Sequence, residues 1–218
     1  MNSSFINRIM LLKGGFNWWS ATIIDYSLTY ENASSEKKDT VKKIYSIMQI
    51  IVGVIGLYIP CEISKVFKRR FHKIPIDCFL LSAGFFGSSI FIYFYLLILE
   101  YNIYISTVFF MLAVASFNMG WVIQAQILLD IVRPQLRSTG NALIICILHL
   151  IGDSVSPYWM GLIAEHCIDP SRRENTISNL LECTQLSFYP LVFLSFIAST
   201  LALFMTLTFY KDKENAHS

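Results

Sequence analysis

The chain has 218 residues, 55% hydrophobic and only 15% charged, with a formal net charge of +2. A soluble domain carries about 25% charged residues, so this chain lacks water-facing surface, and disorder is excluded because it requires low hydrophobicity and high net charge. No basic block is interleaved with aromatics, so nucleic acid is not an expected partner.

At roughly 20 residues per crossing helix, six spans would occupy roughly 120 positions, and six just fit. The first segment, residues 9–30, is long enough to cross but contains Lys13, Asn17 and Asp25. A span and a surface-lying amphipathic helix both fit it. It lacks the basic start, short apolar core and small-residue cleavage site of a signal peptide, so it is expected to be mature structure. Apolar runs at 44–64, 76–99 and 103–130 predict the next three spans, and 138–164 and 187–210 the last two. The fold class expected is all-α, a polytopic six-helix bundle forming one membrane domain over 1–218, with the lipid bilayer as its surroundings.

Orientation follows from where Lys and Arg collect. Lys65, Lys68, Arg69, Arg70 and Lys73 crowd the connection after the second span, which places that loop in the cytoplasm. Six spans then bring 11 of the 17 basic residues and both chain ends to the cytoplasmic side. Asn32-Ala33-Ser34, an N-x-S acceptor, falls in the first outer loop, so Asn32 is a candidate glycosylation site. Cys167 and Cys183 share the second outer loop, where disulfides persist, and a bridge or two unpaired thiols both fit. Cys61, Cys78 and Cys146 stand singly, and no C-x-x-C occurs.

Polar groups inside a span should face the bundle interior or a wet cavity, because lipid excludes them. In the fifth span His149, Gly152, Asp153 and Ser156 occupy one arc of about 100°. They form either a cavity wall, with His149 and Asp153 able to bind solute or titrate, or a hydrogen-bonded helix contact. Pro157, beside Gly152 and Gly161, marks a kink. In the fourth span Asn118, Trp121 and Gln124 recur every three residues and drift round the helix by about 120°, a slanted stripe expected to line a cavity. Gly84 and Ser88 make a small-xxx-small pair in the third span, which predicts close helix packing.

Catalysis has no support. Ser156 lies about 10.5 Å along a helix from His149, too far for that base to activate it. HExxH, GxSxG, Walker and GxGxxG patterns are missing, and His149 with Asp153 is too small a set for zinc. No enzyme activity, metal or cofactor is expected.

The stretch FNMGWVIQAQILLDIVRPQLRSTGNALIICILHLIGDSVSPYWMGLIAEH resembles the spinster family of the major facilitator superfamily around its tenth and eleventh helices. The matching positions are Asn118, Trp121, Pro134, Arg137, Ser138, Thr139, His149, Leu150, Gly152, Asp153, Ser156, Pro157, Tyr158 and Gly161. Gly56, Glu62, Ser64 and Lys65 stand where the family's eighth helix ends in a G-x-E-x-S-R type pattern. Met119 and Gly120 separate Asn118 from Trp121 where the family has them adjacent. Gln126 replaces an acid, and Gly140-Asn141 an A-E pair.

The resemblance covers roughly residues 45–210 and implies the C-terminal six-helix half of a major facilitator fold. It further implies a secondary carrier moving a lysophospholipid- or sphingolipid-like solute by alternating access. The implied cavity is Asn118, Trp121, Gln124, His149, Asp153 and Ser156, with Glu62, Lys65 and Arg137 as a cytoplasmic charge network. A missing N-terminal half or a second copy would be the partner, in a lysosomal, endosomal or plasma membrane. A truncated membrane protein that binds or regulates a full-length carrier, without transporting, is the alternative.

Overall fold

The structure is a computed structural model that describes residues 19–70, 76–147, 149–150, 154–167 and 177–215. All regular structure among them is helical. Helix α1 covers residues 19–30, α2 Ser35–Arg70, α3 Ile76–Ile98 and α4 Ile103–Ile131. A 3₁₀ turn at Pro134–Leu136 leads into α5, Arg137–Ile147, followed by α6, Ser154–Cys167, and α7, Ile177–Asn215. Four of these, α2, α3, α4 over Ile103–Leu129 and α7 over Ile177–Thr208, are long and apolar enough to cross a bilayer. The protein is an all-α polytopic membrane protein.

Local chemistry sets the helix ends. Asn32 takes φ 54° just after α1. Its N–H donates to the Thr29 carbonyl and the Ala33 N–H to that of Leu28, each at 3.0 Å. This left-handed cap satisfies carbonyls that α1 would leave open, and Asn tolerates the conformation. In the α3–α4 connection, Asn102 Oδ1 accepts from the Tyr104 and Ile105 N–H groups at 2.9 and 3.1 Å and so starts α4.

Helix α2 has 36 residues, about 54 Å of helix against roughly 30 Å of hydrocarbon. The excess is polar at one end and basic at the other. The polar start is fastened to α1 by Lys42 on Asp25 and by Lys38 Nζ donating to Thr29 Oγ1 at 2.8 Å.

Helices α2 and α3 both pack on α4. A Cβ on Gly84 would come 3.0 Å from the Ser116 carbonyl oxygen, and one on Gly56 3.2 Å from the Ala115 Cα. Only glycine permits that approach. Helix α3 is held on its other side by α7 through serines. Ser88 and Ser195 hydroxyls meet at 2.8 Å, Ser199 Oγ donates to the Ser82 carbonyl at 3.0 Å, and Ser89 Oγ to that of Val192 at 3.1 Å. Such bonds contribute about 0.6 kcal/mol each inside a membrane. Gly84 and Ser88 therefore serve two different neighbours, α4 and α7.

Within the run expected at 138–164, residue 148 and residues 151–153 lie outside the described residues. Helix α5 ends at Ile147, residues 149–150 make a π turn, and α6 opens at Ser154. Helix α5 has no buried residue, and α4 is its main neighbour. Helix α6 packs on α7, and Trp19 Nε1 of α1 donates to its Pro157 carbonyl at 3.1 Å.

Gly84→Val should overpack the α3–α4 crossing, costing about 1–3 kcal/mol and several degrees in thermal midpoint in detergent. Gly53→Val, where a Cβ meets nothing within 4 Å, should leave the midpoint unchanged.

Candidate functional site

The α4 stripe is split by its own geometry. Three-residue steps fall short of the 3.6-residue turn, so Asn118 and Gln124 point about 120° apart. Asn118 turns towards α2, its Cβ lying 3.1 Å from the Cβ position of Gly56. Gln124 turns towards α5. Together with Trp121, Ala125 and Leu128 of α4, and Asn141, Ile144 and Ile145 of α5, it lines a cavity of about 220 Å³. None of these seven side chains is charged.

Gln124 is 5% exposed, and its Oε1 has no hydrogen-bond partner. A buried acceptor in that condition costs about 1–3 kcal/mol. Gln126, two positions on, faces the other way, and its Nε2 donates to Cys61 Sγ of α2 at 3.6 Å.

The remaining expected cavity residues are not gathered there among the described residues. His149 is exposed in the π turn. Ser156 lies in α6, 2% exposed, with an unpartnered Oγ. Asp153 lies outside the described residues. Asn141 was missed as a lining residue, and its signal was the Gly140-Asn141 departure from the resembled pattern.

No family model matches the chain. Spinster homolog 1 of Rattus norvegicus is 36% identical over 122 residues, 56% of this chain and 23% of the relative. That of Bos taurus is 34% identical over 146 residues, 66% of this chain and 26% of the relative. Spinster homolog 3 of Danio rerio is 25% identical over 215 residues, 96% of this chain and 42% of the relative. The chain is similar to the spinster homologs over part of their length. It spans about a quarter of the length of the homolog 1 relatives.

The basic end of α2 carries two separate ionic contacts. Lys65 Nζ lies 2.7 Å from Glu62 Oε1 within the helix, both partly exposed. Arg137 is placed apart from them, its Nε donating to the Val132 carbonyl at 3.3 Å across the turn into α5. The second contact centres on Asp77, a residue the sequence reading passed over. It is 7% exposed, accepts from Ser64 Oγ at 2.7 Å, and pairs with Lys68 Nζ at 2.5 Å. Ser64 and Lys68 are one turn apart on α2, so both reach the first turn of α3. An acid just inside an apolar run, opposite Ser and Lys at that spacing, was the available signal.

Cys167 and Cys183 are joined by a disulfide that ties the end of α6 to α7, with Cα atoms 5.5 Å apart. Asn32 is exposed in the α1–α2 turn.

Lys68→Ala leaves the Asp77 carboxylate buried without its cation, whereas Asp77→Asn keeps a polar group for Ser64 and removes the buried charge, Lys68 itself being 45% exposed. Thermal unfolding in detergent should therefore show the larger loss for Lys68→Ala, about 1–3 kcal/mol. The reverse ranking would contradict the burial of Asp77.

Proposed function

We propose that the chain acts as the C-terminal six-helix half of a major-facilitator carrier for a lysophospholipid- or sphingolipid-like amphiphile. The observation that carries this reading is the uncharged α4–α5 cavity, with its buried and unpartnered Gln124 acceptor, in a chain of spinster relatives. Pockets that take amphiphiles are mostly apolar with a few placed polar groups, and this one has that balance.

Carriers of this type hold solute at the interface of two repeats and expose it to each side by rocking one against the other. A second half, supplied in the same chain or by another, is the required partner. Helix α5 is the element that changes position, since no side chain of it is buried. His149, Asp153 and Ser156, with Asn118, extend the path along the bundle, and Asp153 carries the proton that couples transport. Glu62, Lys65 and Arg137 lie at the cytoplasmic end, where closing one side of the path brings them together. Asn32 is glycosylated on the opposite side.

Reconstitution with an N-terminal half in proteoliposomes should give lysolipid uptake above that of empty vesicles. Asp153→Asn should abolish the uptake while the thermal midpoint stays unchanged. Uptake equal to empty vesicles in every combination, together with binding to a full-length carrier, would replace this reading with that of a non-transporting regulator. For orientation, enzymatic deglycosylation should shift the gel mobility of the wild type and leave Asn32→Gln unmoved.

A further inference from the structure

We propose that the arginines at the end of α2 and in the turn from α4 into α5 form one site for a lipid headgroup bearing phosphate monoesters, of phosphoinositide type. This ligand binds at the membrane surface and is separate from any solute that is carried.

The first observation is an excess of unpaired cations. Residues 62–70, 76–78 and 127–139 hold six basic residues against three acids, Glu62, Asp77 and Asp130. Glu62 is taken by Lys65 and Asp77 by Lys68. Arg69, Arg70, Arg133 and Arg137 are left, all exposed and none in an ion pair among the described residues. At the other end of α2 the four lysines of residues 37–43 are balanced by four acids over residues 25–39, so the excess belongs to one end.

The second is position. Helices α2 and α4 run parallel, since Gly56 lies against Ala115 and Cys61, further along, against Gln126. Arg69 follows Cys61 by eight residues and Arg133 follows Gln126 by seven, so each stands about 12 Å beyond that contact. Arg137 is drawn back to the same turn by its Nε, which donates to the Val132 carbonyl at 3.3 Å. The two helices therefore deliver their arginines to one level, at the end of their apolar runs.

The third is chemistry. A guanidinium keeps its charge and grips phosphate oxygens with two parallel N–H bonds, which an ammonium cannot do. A phosphodiester headgroup brings a single negative charge, whereas added monoesters bring several and answer several arginines at once. Val66 on α2 and Leu136 in the α4–α5 turn, 59% and 55% exposed, stand beside these arginines. They give acyl chains a surface, which selects a lipid over a free inositol phosphate. Each cation so placed adds about fivefold in affinity for an anionic lipid.

The test uses the purified full chain in detergent, where neither transport nor orientation matters. Binding is measured for a phosphatidylinositol bisphosphate, for phosphatidylserine added to equal total charge, and for soluble inositol trisphosphate. The bisphosphate lipid should bind more tightly than either. Arg69→Gln and Arg133→Gln should each lower its affinity about fivefold, and together about 25-fold, with the thermal midpoint unchanged. Lys37→Gln with Lys43→Gln, the same change of charge at the opposite end, should leave the affinity as it is. Phosphatidylserine binding as tightly would reduce the site to a general field, and the soluble headgroup binding as tightly would remove the lipid. Either result, equal losses from the two pairs of substitutions, or no binding of the bisphosphate lipid would overturn the proposal.

Discussion

A Cβ on Gly84 would lie 3.0 Å from the Ser116 carbonyl oxygen, and one on Gly56 3.2 Å from the Ala115 Cα. Helices α2 and α3 thus meet α4 at backbone distance. In a bilayer this matters more than apolarity, since lipid is as apolar as leucine and helix association depends on close packing and interhelical hydrogen bonds. Those contacts fix the rotation of α4 about its own axis. With Asn118 against Gly56, the helical period delivers Gln124 to the opposite flank, facing α5.

The same logic explains why the two flanks differ. On one side, α3 is held twice, by Gly84 on α4 and by the serine pairs on α7, and the α2–α3 connection is fastened by Asp77 with Ser64 and Lys68. On the other side, α5 meets α4 with no buried residue, and the seam between them contains space and an unsatisfied acceptor. In the proposed carrier, the tight side is the frame and the open seam is where solute and motion belong. Trp19 on the Pro157 carbonyl and the Cys167–Cys183 bridge anchor α6 beyond that seam.

Apolar run length made the long helices legible before any coordinates, because a bilayer sets their minimum length and their composition together. It left two features hidden. Helix α2 extends from Ser35, well before the run at 44, since its charged prefix is fastened to α1 by an ion pair and a hydrogen bond that hydropathy does not register. Asp77 escaped because run length says nothing of a single acid near the start of the run at 76–99, and the partners that bury it stand 9 and 13 positions earlier in sequence. The stripe Asn118, Trp121, Gln124 was visible as a pattern, but whether its members share one cavity depends on which face α2 occupies. Only the close contact at Gly56 decides that.

Spin-label distances offer the most direct measurement of a fixed α4 with an adjustable neighbour. One label pair replaces the exposed Phe94 and Val108, on α3 and α4, and a second pair replaces the exposed Leu129 and Leu143, on α4 and α5. A fixed frame beside an open seam predicts a narrow α3–α4 distance that ignores added lysolipid and an α4–α5 distance that shifts with it. An α3–α4 distance that moves with the ligand, or an α4–α5 distance that does not, would contradict it.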